Sequence, residues 1–187
     1  MPTRPTRDLS ELAGTILSLE RNHVIGIDGL DGSGKMYLAQ RLAPCLNARH
    51  INLDDFLNRN EGGFLNHLQY ENARGAATAA LNTGRVIVEG DCLRTVFERL
   101  GLVADLHVYV KHVTADGIWF EGDFLTLANS AEEVLAMEQK QAERFEELYS
   151  DTVELGQDLI TGLRRELITY HFQYRPHERA DFIFERE

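Results

Sequence analysis

A three-layer α/β fold, with five parallel strands and helices on both faces, is the architecture this sequence predicts. Three observations carry that reading. Short apolar runs alternate with segments of helical period, the pattern of strand-helix-strand units in a parallel sheet. A glycine-rich loop stands directly between the first such run and the helix after it. Finally, 187 residues suit a single domain, 1–187, with the segment of about 111–129 to spare as a lid.

The elements follow in order. Behind an Asp8-x-x-Glu11 capping signal, Leu9, Leu12, Ile16 and Leu19 recur at helical spacing and predict an amphipathic helix packed on the sheet. His23 to Asp28 is the first strand, and Lys35 to Leu46, with Leu38, Leu42 and Leu46 at every fourth position, is the helix after the glycines. Ile51-Asn52-Leu53 gives the second strand, 66–81 a helix, Arg85 to Val88 the third strand behind Gly84, and Leu93 to Leu100 another helix. Leu106 to Val110 reads as the fourth strand and Phe182 to Phe184 as the fifth. Lys111 to Asn129 lacks a clean period and carries Gly117 and Gly122, which predicts a loop or broken helix near the strand ends. Ser130-x-x-Glu133 caps a helix with the stripe Val134, Met137, Phe145 and Leu148; Leu155, Leu159, Leu163 and Leu167 mark the next, stopped by Arg175-Pro176.

Composition excludes several classes. With 43% apolar residues and only 15 Gly and 4 Pro, the chain is neither disordered nor low in complexity. Nineteen Lys and Arg against thirty Asp and Glu give a net charge of −11, which repels a long phosphate polyanion, so no nucleic-acid partner is expected. Cys45 and Cys92 lie in apolar, helix-like surroundings and read as reduced core thiols, as in a reducing cytosol. No stretch approaches the ~18 apolar residues that span a bilayer, and Met1 to Arg7 has no apolar run behind its charges. A cytoplasmic protein with no membrane partner is the expectation.

Gly29-Leu30-Asp31-Gly32-Ser33-Gly34-Lys35 satisfies G-x-x-x-x-G-K in the strand-loop-helix setting that phosphate binding demands. Glycines let successive N–H groups converge on a phosphate, the helix adds its positive end, and Lys35 reaches the outer phosphates. Gly29, Asp31, Gly32, Ser33, Gly34, Lys35, Met36 and Tyr37 are therefore the candidate nucleotide-binding residues. A dinucleotide reading fails because Tyr37 stands where G-x-G-x-x-G needs its third glycine. The lysine favours a nucleoside triphosphate, ATP or GTP, with Mg²⁺ as its metal. Met36 occupies the position where a Ser or Thr hydroxyl normally ligates that ion, and a thioether is a poor partner for a hard cation.

Asp54 and Asp55 follow the second strand and Glu89 the third, so all three stand at carboxyl ends, where ligands of open α/β sheets collect. Phosphoryl transfer needs one carboxylate to orient or deprotonate the acceptor hydroxyl and another to organise the metal. Asp54 and Glu89 suit those roles. The seven histidines show no metal-ligand spacing, and Trp119 and Phe120 are either core aromatics or a platform for a base.

Ile27-Asp28-Gly29 with Gly32-Ser33-Gly34-Lys35, then Leu53-Asp54-Asp55-Phe56, then Val86-Ile87-Val88-Glu89-Gly90 resembles the uridine kinase and nicotinamide riboside kinase group of P-loop kinases. The tail from Tyr170-His171 through Tyr174-Arg175-Pro176 to Ala180-Asp181 looks like that of uridine-kinase-like bacterial proteins, so the resemblance runs from about Leu9 to Glu187. It implies a P-loop kinase fold in which Asp54 is the catalytic base and a metal neighbour, Glu89 the metal-organising carboxylate and Lys35 the phosphate-binding cation. Asp55 and Phe56 fall where the family lines its acceptor site. The chain departs from that pattern at Met36, and Lys111 to Glu143 contains no arginine where the family has an arginine-rich lid. An ATP-dependent kinase acting on a hydroxyl of a nucleoside-like small molecule is the expected function, with a nucleotide-binding protein of little or no kinase activity as the alternative.

Overall fold

The structure, a computed structural model, describes residues 5–20, 23–58, 63–120, 122–149 and 159–187. In chain order the elements are α1 (Leu9–Leu17), β1 (Val24–Gly29), α2 (Lys35–Leu46), β2 (Ala48–Asn52), a 3-10 turn (Leu53–Phe56), α3 (Tyr70–Leu81), β3 (Arg85–Glu89), α4 (Leu93–Leu100), β4 (Leu106–His112), α5 (Phe124–Leu127), α6 (Ala131–Tyr149), α7 (Gly162–Tyr174), α8 (Pro176–Arg179) and β5 (Phe182–Arg186). The strands pair in parallel in the order β2-β3-β1-β4-β5. This order, with the glycine loop after the central β1, is the expected three-layer α/β fold with a five-stranded parallel sheet.

Period-two alternation decides which helices cover which face. Ile25, Ile27, Ile87, Val108 and Val110 pack with Leu12 and Ile16 of α1 and Leu38, Leu42 and Leu46 of α2. Val24, Val86 and Val88 face the other way, onto Ala73 and Ala77 of α3 and Leu93, Val96 and Phe97 of α4. Each fully buried Leu, Ile or Phe removes enough apolar surface from water to stabilise the fold by about 1.5–3 kcal/mol. A third, smaller cluster joins Leu30 of the glycine loop to Phe124, Val134 and Ile168, so the loop is braced by α5, α6 and α7.

Several expectations need correction. The helix expected from 66 begins at Tyr70, because Asn58 N–H donates to His67 O at 2.9 Å and Gln69 N–H to Phe56 O at 2.9 Å, which ties 66–69 to the chain after the 3-10 turn instead. Leu53 belongs to that turn rather than to β2, since the Asn52 side chain caps it by accepting from Asp54 N–H. Of the α6 stripe, Val134 is buried while Met137 and Phe145 are exposed. The Leu148 side chain and all of Leu155 lie outside the described residues, and Leu159 precedes α7. Cys92 is a buried thiol as expected, whereas Cys45 lies exposed on α2. The stretch expected to be irregular carries the end of β4, an isolated pairing of Val113 with Trp119, and the four-residue α5. No helix among the described residues is long and apolar enough to cross a membrane.

Candidate functional site

The register of the sheet brings one set of strand ends level. Ile27 pairs with Glu89, Asn52 pairs with the same Glu89, and Gly29 pairs with Val110. The glycine loop after β1, the turn bearing Asp54 after β2 and the Glu89 end of β3 therefore meet in one crevice.

The loop's shape is fixed by its glycines at two points. A Cβ on Gly29 would stand 2.8 Å from Val110 O and 2.5 Å from Ser33 Oγ, so the chain passes β4 only without a side chain. Gly34, at φ +96°, is the residue before α2 and gives that helix no side-chain cap. The first-turn N–H groups of α2 are left to be satisfied by something else, and they carry the positive end of the helix dipole. Arg186 packs against Gly34 from the end of β5, and its guanidinium also sits 5.9 Å from the Tyr37 ring.

Lys35 is buried beneath this loop. Its Nζ donates to Leu30 O at 2.9 Å and to Gly29 O at 3.3 Å, and pairs with Asp91 Oδ1 at 2.8 Å. Burial pulls the ammonium pKa down, but Asp91, then Asp28 and Glu89, outweigh that and hold it above the usual lysine value. Asp28, 2% exposed, accepts from the Tyr170 hydroxyl and from Gly29 N–H at 2.8 Å. Its burial nonetheless pushes the carboxyl up to about 6, with those hydrogen bonds and Lys35 working the other way. Glu89 is buried as well, 3.4 Å from His50 Nε2.

Asp54 stands at the mouth of the crevice, open to solvent on one side. Desolvation by the crevice wall, then the Asp91 and Glu89 carboxylates, push it up to about 6, and Lys35 opposes them. Asp54 and Lys35 therefore both feel the charges of Asp91 and Glu89. Asp55 is exposed beside Asp54, while Phe56 packs into the cluster under α3 and α4. Asp31 is exposed at the top of the loop and lines a 360 Å³ cavity with Asp123, Thr161, Leu163, Arg164 and Leu167. Arg164 approaches the loop in this way while its Nε and Nη2 bond to Glu138. Met36 and Tyr37, in the first turn of α2, are exposed.

Three participants were missed in the sequence. Asp91 lies two residues past Glu89 on the same strand end, and that offset was the available signal. Tyr170 belongs to the tail motif, and nothing in its spacing announces a bond to Asp28. Arg186 closes β5, whose carboxyl end lies at the same edge as the loop. Trp119 is half-buried against the Leu30 cluster, edge-on to Tyr109 with Lys111 Nζ 4.4 Å from its ring, and Phe120 is exposed against His112. His171 is wholly buried, its Nδ1–H donating to Leu167 O at 2.8 Å and its Nε2 accepting from the Tyr109 hydroxyl at 2.8 Å, an assignment of the tautomer from these partners.

The donor set suits Mg²⁺ in a limited way. Among the described residues no three His, Cys, Asp or Glu side chains form a ready-made metal cage. Asp54, Glu89 and Asp91 supply hard carboxylate oxygens, and Mg²⁺ is commonly held by one or two carboxylates with water and substrate phosphate completing the shell.

No family model matches the chain, and no curated protein matches it. Among solved structures it is similar to a possible uridine kinase from Bacillus stearothermophilus, at 17% identity and TM-score 0.48 over 94% of this chain and 96% of that one. It is also similar to a candidate fructose transport system kinase from a Silicibacter species, at 13% identity and TM-score 0.46 over 97% and 100%, and to a shikimate kinase from Bacteroides thetaiotaomicron, at 15% identity and TM-score 0.34 over 87% and 85%.

The buried Asp28 carboxyl makes stability depend on pH. Its folded pKa of about 6 exceeds the ordinary 3.8, so the folded state holds the proton more tightly and loses stability as pH rises between those values. Relative to Asp28→Asn, the wild-type protein is expected to lose roughly 2 kcal/mol of unfolding free energy between pH 4 and pH 7. Urea unfolding of both proteins at the two pH values measures it, and an unchanged difference contradicts the assignment.

Proposed function

We propose that this protein is a nucleoside-triphosphate-dependent kinase that transfers a γ-phosphoryl group to a hydroxyl of a small, nucleoside-like molecule. The observation that carries the reading is the convergence of Asp54, Glu89 and Asp91 on Lys35, directly beneath a glycine loop that opens a helix. The loop N–H groups and the first turn of α2 bind the β- and γ-phosphates, and Lys35 pairs with their oxygens. Asp54 accepts the acceptor's proton as the hydroxyl oxygen bonds to the γ-phosphorus and the bond to the β,γ-bridging oxygen breaks, releasing the nucleoside diphosphate. Glu89, Asp91 and Asp54 are the residues that would hold Mg²⁺, which when bound would supply positive charge against the transferring phosphates. Arg164 of α7 lines the same 360 Å³ cavity as Asp31 of the loop and, on release from Glu138, is the arginine we assign to the phosphoryl oxygens. Asp55, exposed beside Asp54, remains the candidate for contact with the acceptor.

A pKa of about 6 leaves Asp54 mostly ionised at pH 7 and close enough to neutrality to take a proton well. Asp54→Asn is expected to lower kcat by about 10²–10⁴-fold with nucleotide affinity nearly unchanged. Wild-type kcat/KM should fall as pH drops below about 6. Steady-state kinetics with ATP, Mg²⁺ and a panel of nucleosides and sugars tests both, and wild-type turnover in the variant removes Asp54 as the base.

Met36 favours a second reading, a nucleotide-binding protein of the same fold with little or no turnover. Its thioether stands where a hydroxyl would complete the metal shell. Met36→Thr separates the two: a reduced Mg²⁺ requirement and turnover seen only in the variant support the second reading. Identical turnover and Mg²⁺ dependence in both proteins show that this position never served the metal.

A further inference from the structure

We infer that Asp91 acts as a positioning residue that holds Lys35 in the nucleotide-free protein, its carboxylate occupying the place on the ammonium that a phosphate oxygen requires, so that nucleotide binding depends on a divalent cation to draw Asp91 away. This rests on the nucleotide reading above and goes beyond it by assigning a residue and a coupling. The ion pair is 2.8 Å long, and its two side chains are only 10% and 9% exposed. A carboxylate and a phosphate oxygen present the same hard, anionic acceptor to an ammonium, so they compete for it.

The surroundings favour Asp91 in that competition. Lys35 feels Asp91, Asp28 and Glu89, and Asp54 adds a further carboxylate at the mouth. A triphosphate brought to Lys35 without a cation must displace Asp91 and then sit among all these charges. Of the cations nearby, Arg164 is engaged by Glu138, and Arg186 packs against Gly34 and the Tyr37 ring. The backbone that carries Asp91 is held beside Lys35: Gly90 before it is pressed against Leu53, with room for no Cβ, and Cys92 after it turns the chain at φ 50° into α4. A hard divalent cation in the crevice gives the Asp91 oxygens a new partner and frees the ammonium, which in turn keeps its bonds to the Gly29 and Leu30 carbonyls until phosphate arrives.

Removing Asp91 should therefore improve binding, a direction that loss of structure would not produce. Calorimetric titration of ATP into wild type and Asp91→Asn, in EDTA and in excess Mg²⁺, reads it out. The wild type should bind at least about tenfold more weakly in EDTA than in Mg²⁺. Asp91→Asn should bind about tenfold more tightly than wild type in EDTA, with a smaller gain from Mg²⁺. Asp91→Ser serves in the same way if the amide variant does not fold. A folded variant with unchanged or weaker affinity in EDTA overturns the inference while leaving nucleotide binding standing, as does wild-type affinity that is equal with and without metal. If neither wild type nor variant binds ATP under any of these conditions, the nucleotide reading falls, and the clamp with it.

Discussion

An ammonium sunk into the carboxyl edge of a sheet has to be paired, and Lys35 sets the layout of everything near it. Its chain runs under the glycine loop because α2 begins at Lys35 itself, so the side chain starts from the first helical turn and ends among the strand ends. There it takes two loop carbonyls and Asp91, with Asp28 and Glu89 close behind. A buried cation without such partners would be strongly destabilising, and a crowd of buried carboxylates without the cation would be equally so. The two groups explain one another; burial is the chief reason that the Asp28 and Asp54 carboxyls are raised, and at Asp54 the Asp91 and Glu89 carboxylates add to it.

Helix α7 turns this local arrangement into a property of the whole domain face. Tyr170 donates to Asp28 at the start of the loop, and Glu166, one turn earlier, accepts from Phe64 and Leu65 N–H at 2.7 and 3.0 Å. Ile168 packs on Leu30 from the same helix. One element therefore braces the glycine loop and the segment leading into α3 at once. Backbone N–H groups outside regular structure need acceptors, and a carboxylate from a neighbouring helix satisfies two of them together.

The sheet was legible because alternation and helical period are written in short stretches: Lys35–Leu46 and Leu93–Leu100 came out with the expected bounds, and all five strands were found. What failed involved partners distant in sequence. The start of α3 moved because backbone bonds from Phe56 and Asn58 captured residues 66–69, which no local pattern records. Met137 and Phe145 form a clean stripe on paper, yet they remain exposed on α6. In the site, Lys35, Asp54 and Glu89 announced themselves by motif and strand-end position. Asp91, Tyr170 and Arg186 did not, since their parts depend on how β3, α7 and β5 come together around the loop.

In the function proposed here the glycine loop receives phosphate and Lys35 leaves Asp91 to meet it. A crystal structure with Mg²⁺ and a non-hydrolysable ATP analogue tests this most directly. The account predicts β- and γ-phosphate oxygens within hydrogen-bond distance of the loop N–H groups and of Lys35 Nζ, with the Lys35–Asp91 pair broken and Asp91 facing the metal or its waters. A nucleotide bound elsewhere, or phosphates on the loop with the Lys35–Asp91 pair intact, would contradict it.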